Sequence, residues 1–331
     1  MLIMSNPDVQ TATPAQPHRA ALDPPAPWPA SQGLEEVWLL GQPPLSRLLD
    51  FVESAGVEGD KVDRAALTDE WRAANDHYMA LERTEAGIAN RGTHRELDPE
   101  LAALAAEVAA HPRFRRAFRT LPTSFGMVEL DSLIVYQRHV TRNFVEARMQ
   151  GIGAAPDPEA LFRICLPLGD PDVPVQIQRV GSRRYVFRCP STDFRFHEPA
   201  LLRPEQANGY ESLGAVAGIV GLVVGFGSNF LNVVRVGSRT LLNNGYHRAV
   251  ALRALGITHA PCIIQTATRG DELAVSVRSR VAEDPEFYFE SARPPLLRDF
   301  FDPKIRKLLP IRSRTRQIEV NFEIKDYLVA E

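Results

Sequence analysis

The segment VRVGSRTLLNNGYHRAVALRALGITHAPCIIQ, residues 234–265, constrains the fold more than any other stretch of this chain. Thr240 to Asn243 reads as a strand that enters the tight-turn pair Asn244-Gly245. Tyr246 to Leu255 is rich in Ala, Leu and Arg and reads as a helix, with Gly256 placed to cap its C-terminus. Ile257 to Gln265 returns as a strand centred on Cys262, Ile263 and Ile264. A glycine between a strand end and a helix start leaves backbone N–H groups free to point at an anion, and the helix start adds favourable partial charge. His247 and Arg248, in the first helical turn, add donors suited to phosphate oxygens. The helix start is expected to be exposed, so that changes at His247 and Arg248 leave the fold intact. The competing reading is that these two residues only cap the helix or pair with acids, and that Asn243 and Asn244 are turn residues and nothing more.

The rest of the chain divides by composition. Residues 1–32 are rich in Pro, Ala, Ser, Thr and Gln and read as a disordered leader; they lack the basic start and sustained apolar run of a secretory signal. Residues 33–121 read as a helical domain. Its best helix spans 66–89, with Thr68 as N-cap and an apolar stripe of Trp71, Ala74, Tyr78, Leu81 and Ile88. A second helix runs over 99–118, and Pro112 breaks it. Residues 126–136 are strand-like, and 175–189 read as a hairpin around Gly181-Ser182, a turn repeated at Gly237-Ser238. Within 211–228, the most apolar run, Gly214, Gly218, Gly221 and Gly225 recur at spacings that line one face of a helix. That run is too short for a membrane span and is expected to be buried in a soluble fold. Residues 294–316 concentrate Arg298, Lys304, Arg306, Lys307, Arg312, Arg314 and Arg316, and 317–327 alternate as a strand with one face buried.

Charge and motif inventory narrow the function. A formal net charge of -3 gives no global field toward nucleic acid or anionic lipid, so any basic surface is local. Cys165, Cys189 and Cys262 have no metal-type spacing and read as buried reduced thiols in a cytoplasmic protein. The acids of the 66–89 helix scatter around its circumference, so no metal site is expected there. His139, His197 and His259 lack sequence partners and read as structural or surface residues. No Walker-type loop, dinucleotide fingerprint or Gly-x-Ser-x-Gly elbow is present.

Gly245-Tyr246-His247-Arg248, a helix ending in Leu255-Gly256, and a following strand with Pro261 and Ile263-Ile264 resemble the ParB/sulfiredoxin-like superfamily. A looser match covers 128–147, where Gln137, Arg138 and Arg142 fall in the place of that fold's first-strand and arginine region. Everything before 120 and after 270 lies outside the resemblance. It implies a nucleotide site: ATP or CTP, with Mg2+, held by Asn244, Gly245, Tyr246, His247, Arg248, Gln137, Arg138 and Arg142. The motif also departs from the family's members. Tyr246 stands where sulfiredoxins carry their nucleophilic cysteine. Residues 245–248 are not the Gly-Glu-Arg-Arg of the partitioning proteins, and no helix-turn-helix domain follows. Asn244 stands where serine-kinase-like members place an acid, so a kinase would take its carboxylate from Glu129, Asp131 or Glu146.

The expected architecture is α+β: the leader, the helical domain over 33–121, a ParB/sulfiredoxin-like core over 122–270 with an inserted hairpin in 151–210, and a C-terminal extension over 271–331. The leading expectation is a nucleotide-binding protein, with phosphotransferase and nucleotide hydrolase both open. Its rivals are a non-enzymatic DNA- or protein-binding module and a self-assembling protein that uses the glycine-striped segment 213–227. Neither sequence-specific DNA binding nor membrane association is expected, and homo-oligomerisation is left open.

Overall fold

A computed structural model describes residue 28 and residues 33–330, apart from 43, 93, 154 and 207–213. In chain order the strands are β1 (Glu35–Leu39), β2 (His94–Glu96), β3 (Thr123–Glu129), β4 (His139–Thr141), β5 (Gln176–Arg179), β6 (Arg184–Cys189), β7 (Phe194–Leu202), β8 (Ile219–Phe226), β9 (Asn232–Val236), β10 (Arg239–Asn244), β11 (His259–Thr266), β12 (Arg306–Pro310) and β13 (Arg316–Asn321). The helices are α1 (Leu45–Ala55), α2 (Arg64–Thr84), α3 (Ala102–Ala110), α4 (Pro112–Ala117), α5 (Arg142–Ile152), α6 (Pro158–Cys165), α7 (Tyr246–Ala254), α8 (Gly270–Ser276), α9 (Ser279–Glu283) and α10 (Pro285–Phe289). The chain is of mixed α+β class.

The central sheet has the order β10-β9-β11-β3-β2. β11 runs parallel to β9 and antiparallel to β3, and α7 makes the connection that returns the chain from β10 to β11. Only the ends of β11 reach solvent, because both of its faces are covered; its near-continuous apolar sequence follows from that. Alternation sorts the neighbouring strands. Val233 and Leu242 face the main core with α7, whereas Val234 and Leu241 face two smaller clusters that include Leu273, Val281 and Tyr288.

A second sheet, β12-β1-β4, brings together segments from the start, middle and end of the chain. It corrects the expectation of a helical domain over 33–121. β1 pairs with β4 and β12, β2 extends the central sheet beside β3, and Leu101, Ala105, Val108 and Phe118 share the main core with α7. The N-terminal segment therefore contributes strands and core to the rest of the fold. Within it, α2 is capped by Asp63, whose Oδ1 accepts from the N–H groups of Ala65 and Ala66 at 3.0 Å. Thr68, expected as the cap, lies inside the helix and donates back to the Arg64 carbonyl at 2.6 Å.

The leader lies outside the described residues except for Trp28, which packs against the main core and stacks on Phe301 at 6.0 Å. The hairpin expected at 175–189 forms as β5 and β6, and β13 joins it along β6. The described part of the glycine-striped segment, from residue 214, is not a helix: Ile219–Phe226 form β8, which pairs antiparallel with β7 in a two-stranded ribbon, and Gly214 and Gly218 precede it. Its apolar side chains are only partly covered, and Val220 is 71% exposed. Among the described residues no helix is long and apolar enough to cross a membrane. The C-terminal segment packs back on the core, and three of its basic residues meet acids. Arg298 pairs with Glu85, Lys307 with Glu70, and Arg314 with Glu36. The final strand is shorter than expected, β13 ends at Asn321, and Phe322 and Ile324 are exposed rather than buried.

Candidate functional site

Gly245 has φ +98°, left-handed backbone that a residue with a side chain adopts only at a cost. It also has no room: a Cβ placed there would stand 2.5 Å from Leu231 Cδ1 and 3.3 Å from Leu231 Cα. The glycine is thus required both by the turn and by the close approach of the chain entering β9.

The side chains after it divide between two sides of the turn. Tyr246 is buried, and its hydroxyl donates to the Leu242 carbonyl at 2.8 Å. The same oxygen accepts from the N–H groups of Tyr136 at 3.0 Å and Gln137 at 3.4 Å, which ties the stretch leading into β4 to the turn. Burial pushes this phenol well above its ordinary pKa, so it remains a neutral tether.

Arg248 also points inward, a correction to the exposed helix start expected from sequence. It is 5% exposed. Its guanidinium donates to the Cys165 carbonyl at 2.6 Å, to the Asn229 carbonyl at 3.1 Å and to Asn229 Oδ1 at 2.7 Å. Burial presses its pKa down to about 10. Asn244 Nδ2 completes the same bracket by donating to the carbonyls of Ser228 at 2.7 Å and Phe230 at 3.1 Å. Together they fix residues 228–231 against the turn.

His247 faces the other way. Its Nε2 accepts the N–H of Thr141, the residue that opens α5, at 3.0 Å. Neither α5 nor α7 is capped by a side chain of its own N-cap residue, and the start of α5 meets this imidazole, which itself stands in the first turn of α7. Accepting that hydrogen bond requires the neutral ring. Burial, with the neighbouring charges of His139 and Arg148 and against that of Glu36, lowers the His247 pKa to about 4. Phe144, partly exposed on α5, meets the ring edge-on at 5.6 Å.

The two sequence segments thus meet, but most of the side chains expected to hold phosphate are committed elsewhere. Gln137 donates to the His139 carbonyl at 2.7 Å. Arg138 is buried, donates to Gln42 at 2.7 Å, and lies over the Phe287 ring at 5.6 Å. Arg142 is buried between Glu35 and Glu146, at 2.7 Å from each. Of the acids considered as bases, Asp131 pairs with Arg253 at 2.5 Å, Glu146 holds Arg142, and Glu129 is buried at the end of β3. Two clefts, of about 280 Å³ beside α6 and about 330 Å³ beside α1, contain none of these residues.

The sequence reading missed one group altogether. Glu36, Trp38 and His139 surround one another beside Thr141, and Arg314 closes the group from the C-terminal segment. His139, read from sequence as lacking a partner, has its Nδ1 3.1 Å from Glu36 Oε2. Among the described residues no cluster of three or more His, Cys, Asp or Glu side chains could hold a metal ion, and the three cysteines are free and buried. The chain matches no protein-family profile, no curated protein and no solved structure.

Proposed function

We propose that the protein binds a phosphate-bearing ligand where α5 and α7 begin, a nucleotide being the class that the resemblance of residues 243–256 implies. The observation that supports this reading is the contact of the start of α5 with His247 in the first turn of α7. An anion accepted there meets backbone N–H groups and the positive end of a helix dipole. The exposed Arg148, whose charge already acts on His247, adds attraction at the rim. The exposed face of Phe144 offers a stacking surface for a base. Arg248, Tyr246 and Asn244 have the different task of building the turn. Any Mg2+ would be carried by phosphate oxygens and water rather than by a protein cage.

Calorimetric titration with ATP, ADP, CTP, GTP and inorganic phosphate, each with magnesium, tests the reading. Binding is expected, weakened several-fold in His247→Ala and in Arg148→Ala with the fold intact. Failure of the wild type to bind any of them at millimolar concentration would reject it. A second reading, a non-enzymatic protein-binding module, is favoured by the β7–β8 ribbon, where Leu201 and Val220 are 81% and 71% exposed.

A further inference from the structure

β1 presents alternate residues to two different environments. Val37 and Leu39 enter the main core, while Glu36 and Trp38 face the other side, where β4 places His139 opposite Trp38 and Thr141 opposite Glu36. Glu36 is 3% exposed and held from three directions. Trp38 Nε1 donates to its Oε2 at 2.8 Å, His139 Nδ1 lies 3.1 Å from the same oxygen, and Arg314 donates to Oε1 at 3.0 Å. Burial alone would raise the pKa of this carboxyl, but the hydrogen bond and charge of His139, with Trp38 and Arg314, bring it below the ordinary value. The carboxylate is therefore a fixed anion at neutral pH.

His139 is held in plane as well. Its ring stacks on Trp38 at 4.8 Å with 10° between planes, and Phe51 lies 6.1 Å away. When the Nδ1 that lies 3.1 Å from Glu36 carries the proton of the neutral ring, the lone pair is on Nε2, which has no protein partner among the described residues. The side chain is 39% exposed. Another histidine–carboxylate pair shows what distinguishes this one. His77 uses Nε2 to reach Asp302 at 3.0 Å, its carboxylate also accepts from the Lys304 N–H, and the pair tethers α2 to the C-terminal segment. His139 tethers nothing through its free nitrogen, and that nitrogen lies two residues along β4 from the N–H that meets His247.

We propose that His139, positioned by Glu36, is the general base for hydrolysis of a nucleotide's terminal phosphoryl group at the His247 site. The assignment rests on the nucleotide reading above. As water attacks phosphorus, its oxygen forms the new P–O bond and its proton passes to His139 Nε2. The bond to the bridging oxygen breaks, and that oxygen leaves with the electron pair on the nucleoside diphosphate. Glu36 fixes the tautomer and stabilises the imidazolium that results.

The test measures nucleotide binding and phosphate release separately, with ATP, CTP and GTP as probes. Wild type is expected to bind and hydrolyse at least one of them. His139→Gln, at a half-open position, should fold, bind that nucleotide within about twofold of wild type, and hydrolyse it about a hundredfold or more slowly. Added imidazole should restore part of the activity of His139→Gly, and much less of it when Glu36→Gln is present as well, a dependence that a merely structural Glu36 would not produce. Hydrolysis by His139→Gln within threefold of wild type, or binding without hydrolysis by the wild type, overturns the general-base assignment and leaves the binding reading standing. Absence of nucleotide binding by the wild type overturns both.

Discussion

The inward and outward sides of the Gly245 turn differ in what their polar groups do. Inward, Asn244, Tyr246 and Arg248 bond to backbone groups and to the Asn229 side chain at distances between 2.6 and 3.4 Å, so their hydrogen bonds close within the protein. Outward, His247 caps a neighbouring helix, and His139 has a ring nitrogen with no protein partner among the described residues. One short motif thus supplies both a framework and a polar surface. A side chain of phosphate-binding type is informative about function only once its hydrogen bonds have been traced. Arg248 would rank first by residue type, yet it is among the least available groups in the turn.

The largest effect that could break this division is expected at Arg248. Arg248→Met keeps most of the volume but leaves both oxygens of Asn229 without their donor, and the Cys165 carbonyl keeps only the Leu231 N–H at 2.9 Å. Two acceptors deprived of a charged partner cost about 1–3 kcal/mol apiece, with partial relief from relaxation, so a loss of about 2–4 kcal/mol is expected in urea unfolding. An unchanged midpoint, coupled with lost nucleotide binding, would move Arg248 to the outward side.

Gly245→Ala comes next. The left-handed backbone costs an alanine about 1–2 kcal/mol, and crowding against Leu231 adds a further ~1–2 kcal/mol. The combined variant with Leu231→Ala should recover only the crowding, giving less than the sum of the single losses. Strict additivity in the same unfolding experiment would mean that Leu231 does not set the glycine requirement.

The contrast between regions also explains what the sequence could reveal. β10, α7 and β11 were legible because their signals are local: an Asn-Gly turn, a helix-forming run, a C-terminal glycine and an apolar strand lie within about thirty residues. β8 misled because Gly214, Gly218, Gly221 and Gly225 fall at helical spacing, whereas pairing with β7 decides the structure. β1 is only five residues long and was absorbed into a helical stretch; with it went Glu36 and Trp38. The Glu36–His139 pair joins positions about a hundred residues apart through a three-residue strand pairing, and no periodicity encodes such a contact. The inward role of Arg248 was equally hidden, because Cys165 and Asn229 come from separate parts of the chain.

The smallest effect sharpens the outward side most directly. His247→Gln removes a titrating ring while leaving an amide oxygen able to accept the Thr141 N–H, so at pH 8 the expected loss is only about 0.5–1.5 kcal/mol. The informative change is in pH dependence. The folded protein holds His247 neutral down to about pH 4, whereas an unfolded histidine takes up its proton near its ordinary value of 6.5. Between those limits the unfolded state binds more protons, so this residue's contribution to stability falls as the pH is lowered from about 6.5 to about 4 and is constant outside that window. Glu36, whose pKa is lowered, weakens the fold only as the pH falls below its unfolded value of 4.5, so the upper part of the window is free of its contribution. In urea unfolding between pH 6.5 and 4.5, wild type should lose stability more steeply than His247→Gln, and a saturating phosphate ligand should flatten the wild-type curve, because a bound anion stabilises the imidazolium. Parallel curves for the two proteins would mean that His247 titrates in the folded state as it does in water, and the picture of a neutral ring meeting the start of α5 would fall.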